Sequence, residues 1–149
     1  MAQAFTVLFV DDDDQVRSPI AELLARHGLR VLTAASAGEA TRVLAREHVD
    51  VLFTDIVIPD QDGIELAREA RLLQPGLQTM FITGYFTRAV DAAQLGKVLF
   101  KPMRARQIEE AFDDVLGRSH AAQLGWVLFN PTRARQIEDA LDDVIGPSE

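Results

Sequence analysis

Several residues in this 149-residue chain stand where chemistry could be done, each just past a short apolar run. Residues 51–54 (Val-Leu-Phe-Thr) read as a buried parallel strand that ends at Asp55, closed by the turn-formers Pro59, Asp62 and Gly63. Residues 5–10 form a similar run that goes straight into Asp11-Asp12-Asp13-Asp14. Residues 77–83 end on Thr83, and residues 98–100 deliver Lys101. Open α/β sheets place their chemistry at the carboxyl ends of such strands. Three carboxylates gathered there, Asp11, Asp12 and Asp55, would repel one another by roughly 4 kcal/mol per pair at about 4 Å and an effective dielectric near 20. A hard divalent cation resolves that conflict, and magnesium is usually held by one or two carboxylates plus waters, with positions left for phosphate oxygens. With a cation and the Lys101 ammonium beside it, Asp55 could attack a phosphoryl group and form an aspartyl phosphate. Mg2+ and Lys101 would offset charge on the phosphoryl oxygens, and the Thr83 hydroxyl would donate a hydrogen bond to one of them.

The plainer reading of an Asp after a strand is a loop starter or helix cap. One of Asp13 and Asp14 is expected to cap the next helix, which leaves Asp11 and Asp12 without a structural task. Residues 15–27 carry Val16, Ile20, Leu23 and Leu24 at helical spacing, with Gly28 as the stop. Residues 29–34 form a second strand. Ser36 and Glu39 form a capping box that opens a helix to about residue 47. Helices are further expected over 64–73, 86–95 and 104–116. Strand and helix thus alternate five times, which predicts an α/β fold with a doubly wound, parallel five-stranded sheet. All the candidate residues then meet at one sheet edge.

Composition narrows the class. The chain has 15 basic and 23 acidic residues, a net charge of −8, which argues against a nucleic-acid-binding surface. It has no Cys, so thiol chemistry and disulfides are excluded. No apolar run reaches membrane-spanning length and residues 1–4 do not look like a signal peptide, so a cytoplasmic protein with no membrane partner is expected.

Residues 92–117 recur as 121–146, a period of 29 with six differences in 26 positions. Three or more repeats are needed for an array, so this is a terminal duplication of one βα unit. Its removal leaves 149 − 29 = 120 residues, enough for five βα units. The expected division is therefore residues 1–117 as one domain and 118–149 as a duplicated tail.

The five separated motifs Val10-Asp11-Asp12, Asp55 with Pro59 and Asp62-Gly63, Thr83-Gly84, Lys101-Pro102 and the βα rhythm between them make residues 5–117 resemble a bacterial two-component response regulator receiver domain of the chemotaxis-regulator type. The resemblance implies a flavodoxin-like strand order 2-1-3-4-5 and a cis Lys101-Pro102 bond. It further implies that Asp55 is the phosphoacceptor, assisted by Thr83 and Lys101. It implies Mg2+ bound by Asp12, Asp55 and the backbone carbonyl of Val57, with Asp11 acting through water. The implied donor is a sensor histidine kinase or a phosphotransfer protein. Such a chain is not an enzyme in the usual sense; it catalyses its own phosphorylation and dephosphorylation. Two positions depart from the family: Val98 stands where an aromatic is usual, and the stretch from Thr83 to Lys101 is short by about one helical turn, as in receivers found beside histidine kinases. Phosphoryl chemistry is expected to survive both.

Three functions compete. The leading expectation is a stand-alone receiver, without a DNA-binding output domain, that signals through protein contacts. The alternative is an interaction or dimerisation module whose phosphorylation is vestigial. A flavodoxin-type electron carrier is disfavoured because four aspartates after strand one would repel the FMN phosphate. His27, His48 and His120 are isolated in sequence and expected to be structural, Arg104-Ala105-Arg106 to be a solvated helix face, and Tyr85 and Phe86 to be packing residues as readily as switch elements. A sixth strand added in cis beyond strand five would need a left-handed crossover, seen in only about 2% of such connections. The tail is therefore expected to cover the helix-four, strand-five, helix-five surface in a homodimer.

Overall fold

The computed structural model describes residues 4–84 and 86–117, without the side chains of 86–88. Tyr85, the side chain of Phe86, His120 and the repeat at 121–146 lie outside the described residues. Five strands, β1 (Thr6–Val10), β2 (Arg30–Ala34), β3 (Val51–Asp55), β4 (Gln78–Thr83) and β5 (Lys97–Phe100), alternate with α1 (Asp14–Arg26), α2 (Ala37–Arg46), α3 (Gly63–Leu73), α4 (Phe86–Ala93) and α5 (Ala105–Leu116). The sheet is parallel throughout, in the expected order β2-β1-β3-β4-β5.

The period of two along the strands assigns each helix its face. Val7, Phe9, Val51, Phe53, Met80 and Ile82 point to one side and meet Val16, Ile20, Leu23 and Leu24 of α1 and Ile108 and Phe112 of α5. Leu8, Val10, Leu52 and Phe81 point to the other and meet Ala40 and Leu44 of α2, Ile64, Leu66 and Ala67 of α3 and Ala92 of α4. Phe53 is the keystone of the first side. Its ring lies 5.2 Å from Phe9, tilted, and 5.2 Å from Phe112 edge-on. Burying a side chain of this size is worth about 1.5–3 kcal/mol, so the centre of the sheet is firmly fixed against α5.

Helix starts follow the predicted chemistry. Asp13 caps α1 by accepting from the Gln15 N–H, Ser36 caps α2 by accepting from Glu39, and Asp62 caps α3 by accepting from Ile64 at 2.7 Å. Glu39 closes its box one residue further back than expected, on the Ala35 N–H. Most ends fall within one residue of the sequence reading, and two of the shifts have a cause in the sheet. β5 begins at Lys97, because Lys97 pairs with Met80 in register. Helix α4 stops at Ala93, two residues early, because the Leu95 carbonyl accepts from the Thr79 hydroxyl and the Arg71 guanidinium. Gly96 is obligatory there: a Cβ on it would sit 1.9 Å from the Thr79 carbonyl oxygen.

Candidate functional site

The sheet register brings Asp55, Thr83 and Lys101 to the carboxyl edge together. Asp55 pairs with Ile82, so Thr83 lies one residue further along β4, and Thr83 pairs with Phe100, so Lys101 follows directly. The Lys101 N–H donates to the Thr83 carbonyl at 3.0 Å, and the Lys101-Pro102 bond is cis. Thr83 is buried. Lys101 extends its ammonium to Asp55 Oδ2, at 3.3 Å. The other carboxylate oxygen, Oδ1, accepts from the Val57 N–H at 3.1 Å. Asp55 is therefore gripped on both oxygens while remaining 9% exposed, which leaves an approach from solvent.

The loop after Asp55 is held by its neighbours. Val57 bridges Asp62, the Gly63 N–H donates to the Ile56 carbonyl at 2.7 Å, and a Cβ on Gly63 would lie 2.3 Å from the Asp55 carbonyl oxygen. No other residue lets α3 start this close to the backbone of Asp55. The Val57 side chain, by contrast, is 56% exposed at the rim.

Across from Asp55, Asp11 closes β1. Its N–H donates to the Ala34 carbonyl, its Oδ1 accepts from the Asp13 N–H at 2.9 Å, and its buried Oδ2 has no hydrogen-bond partner among the described residues. Burial pushes the Asp11 carboxyl up to about 6, against the Asp13 N–H, which pulls it down; the Asp55 charge adds to the rise. The Asp55 carboxyl is also raised, again chiefly by burial, with the Lys101 charge and the Val57 N–H opposing. Asp12 is exposed beside them. The edge thus holds more negative charge than Lys101 offsets.

The residues present fit a magnesium ion. An orphaned buried carboxylate oxygen, two carboxyls raised by poor solvation and an all-oxygen donor set are what a hard cation relieves. Among the described residues no three acidic or imidazole groups converge tightly enough to cage a metal unaided. The three carboxylates are thus less tightly gathered than the sequence suggested. Magnesium, which keeps several waters, does not require such a cage.

Three neighbours of the site make contacts that the sequence did not signal. Arg17 donates to the Asp11 carbonyl at 2.6 Å and contacts Asp14. Asp13 both caps α1 and orients Asp11. Asp60 reaches from the loop after Asp55 to the N–H groups of Ala37 and Gly38, at 2.9 and 3.0 Å. Those bonds hold its carboxyl below the usual range. Of the histidines, His48 is exposed and lies 3.0 Å from Asp50, while His27 is buried against Asp113 and Glu109 of α5. Arg104 and Arg106 are exposed on either side of buried Ala105, and Val98 packs half-buried on the α2-α3-α4 side.

A five-stranded parallel sheet of order 2-1-3-4-5, with acids after β1 and β3 and a lysine after β5 at one edge, defines a chemotaxis-regulator-like α/β domain. Residues 7–113 match the family model for the response regulator receiver domain, and the chain belongs to that family of two-component signalling proteins. It is 36% identical over 114 residues to the response regulator receiver protein CpdR of Brucella abortus (strain 2308), covering 74% of this chain and 95% of that one. It is also 36% identical over 117 residues to the transcriptional regulatory protein GlrR of Escherichia coli (strain K12), covering 76% of this chain but 26% of that longer protein. A crystal structure of a CheY-like receiver domain protein from Methanospirillum hungatei JF-1 superposes with a TM-score of 0.72 at 29% identity, over 77% of this chain and 95% of that one. The response regulator TrrA of Thermotoga maritima, solved in complex with Mg(2+)-BeF, shares the fold with a TM-score of 0.69 at 22% identity, over 74% of this chain and 98% of that one. No described helix is long and apolar enough to cross a membrane.

Proposed function

We propose that this chain accepts a phosphoryl group on Asp55 from a sensor histidine kinase or a phosphotransfer protein, with Mg2+, and signals through protein contacts. The observation that carries the reading is the two-sided grip on Asp55: Lys101 on one oxygen, the Val57 N–H on the other, with under-compensated Asp11 alongside. An Asp55 oxygen attacks phosphorus, the new O–P bond forms as the bond to the donor's imidazole nitrogen breaks, and the imidazole departs with that electron pair. Lys101 offsets charge on the transferring oxygens, and Thr83 is placed one residue beyond the register partner of Asp55 to donate a hydrogen bond. Asp12, Asp55 and the Val57 carbonyl would hold magnesium, with Asp11 behind a water, and the ion would supply further positive charge to the phosphoryl oxygens. That TrrA, on the same fold, was solved with Mg(2+)-BeF supports this assignment. The kinase as donor is supported by the 33% identity, over 117 residues, to the sensor kinase CckA of Brucella abortus (strain 2308), 12% of which is matched.

The chain would act on itself, as a phosphoacceptor and not as an enzyme with a separate substrate, and would work in the cytoplasm beside its donor. A net charge of −8 favours protein over nucleic acid as the receiver of the signal. A second reading, an interaction or homodimerisation module, is favoured by one observation, the repeat of 92–117 at 121–146.

Incubation with acetyl phosphate and Mg2+ should add one acid-labile phosphate, abolished by Asp55→Asn and by EDTA. Label that persists in Asp55→Asn, or that ignores chelation, refutes the phosphoacceptor assignment.

A further inference from the structure

Helix α5 buries an uncommon set of side chains. Ala105, Ile108, Ala111 and Phe112 face the sheet as an amphipathic helix should, yet Glu109 and Asp113 are buried with them. Both acids meet His27, whose side chain is wholly buried at the end of α1: Nε2 is 3.0 Å from Asp113 Oδ1 and Nδ1 is 3.7 Å from Glu109 Oε2. Acids are seldom buried without such a partner. The pair is therefore fitted to one histidine, and not to apolar surface in general.

The repeat keeps this fit. At the six buried positions of α5 it carries Ala134, Ile137, Glu138, Ala140, Leu141 and Asp142, five identical residues and one Leu for Phe. Amphipathy alone would call for the apolar residues and would put the acids on the outside. The sequence of the strand is kept as well, Val127-Leu128-Phe129 for Val98-Leu99-Phe100. What changes is Lys101, replaced by Asn130, together with Lys97, Met103, Glu110, Phe112 and Leu116.

We infer that the slot beside β4 and α1, filled here by β5 and α5, also accepts residues 123–146 of the same chain in place of 94–117, which sets Asn130 where Lys101 otherwise meets Asp55. The same chain is the favoured source because the copy is tethered 29 residues away, and the cost of closing a loop grows only slowly with its length. The first copy holds the slot in most molecules. Phe112 packs edge-on to Phe53 and Met103 is buried, whereas Leu141 and Thr132 would give up those contacts. In the exchanged state Asp55 has no ammonium beside it, so the chain carries its own silent form. This last consequence rests on the phosphoacceptor reading; the exchange itself does not.

Gln78 donates its side-chain N–H to the Val115 carbonyl at 3.1 Å, and Val144 is the repeat's counterpart of Val115. Because the full-length chain has no Cys, Gln78→Cys with Val144→Cys gives a unique disulfide reporter, with Gln78→Cys and Val115→Cys as its reference. Thr132→Met and Leu141→Phe restore the repeat's core contacts, and in that background the 78–144 disulfide should form within single chains. Adding Lys101→Ala and Asn130→Lys should then recover the initial labelling rate to roughly half that of the unmodified chain, the share expected when two equal occupants compete, whereas Lys101→Ala alone stays about 10²-fold slower. No 78–144 disulfide, a disulfide found only between chains, or, where the unmodified chain does take label, no recovery of labelling overturns the inference. If the unmodified chain takes no label but the intrachain disulfide forms, the phosphoacceptor reading fails and the exchange stands.

Discussion

Two groups of buried acids sit at opposite ends of the α1-α5 layer, and they meet different partners. At the carboxyl edge, where α1 and α5 begin, Asp55 meets the Lys101 ammonium, and one Asp11 oxygen has no hydrogen-bond partner among the described residues. At the other edge, where both helices end, Glu109 and Asp113 close on His27 from two sides. The second group cements α5 to α1. On the proposed reading the first would draw a cation to Asp11 and Asp55 and keep an Asp55 oxygen ready to react. Burial alone therefore does not mark a functional acid.

Removing His27 takes the shared partner from the second group. His27→Ala should destabilise the fold by about 3 kcal/mol, because it leaves two buried carboxylates facing one another, and Asp113→Asn in that background should regain part of the loss. Urea melts give the values, and a cost below about 1 kcal/mol would show that the cluster is ordinary packing.

At the other end the corresponding change should cost activity more than stability. Lys101→Ala removes the ammonium from Asp55 and should slow labelling by about 10²-fold, the usual price of losing one charge-stabilising donor. Initial rates of phosphate incorporation measure it, and the urea midpoint should barely move.

The excess charge should also appear in the pH dependence of stability without metal. The Asp11 carboxyl, raised from 3.8 to about 6, binds its proton more tightly folded than unfolded. Its contribution is complete below pH 4, falls as pH rises toward 6, and is absent above. Asp11→Asn keeps an acceptor for the Asp13 N–H and cannot ionise. In EDTA it should gain about 2 kcal/mol above pH 6 and nothing near pH 4, and Mg2+ should cancel the gain. A gain that is the same at both pH values would mean that Asp11 is not strained.

The smallest effect concerns the rim. Val57 is exposed at the rim beside Asp55; on the proposed chemistry a hydrolytic water would have to line up with phosphorus there, and an apolar branched side chain positions water poorly. Val57→Asn should shorten the lifetime of the phosphoryl form, expected to be many minutes in the unmodified chain, by about threefold. Paired with Tyr85→Glu the effect should grow. An unchanged lifetime in the pair would rule out a steric block.

The two groups differ just as sharply in how readable they were. The carboxyl edge was legible because each of its residues directly follows an apolar run, and the period of two in β1, β3 and β4 fixes where those runs go. Asp13 as a cap and Ser36 with Glu39 were legible from local chemistry. The His27 group was not, because its partners lie 86 and 82 residues away and nothing local distinguishes a buried glutamate in α5 from a solvated one. The end of α4 was missed for a related reason: the groups that claim the Leu95 carbonyl belong to α3 and β4.

The strand order has a consequence for exchange kinetics. β3 is paired on both sides and fully buried, whereas β5 is a four-residue strand that, among the described residues, lies at the edge and pairs with β4 alone. Amide protons of β3 exchange only when the whole domain opens, while those of β5 are released by fraying of one edge. Asp55 is thus mounted on one of the slowest-exchanging parts of the sheet and Lys101 directly after one of the fastest, so the two halves of the site keep different clocks.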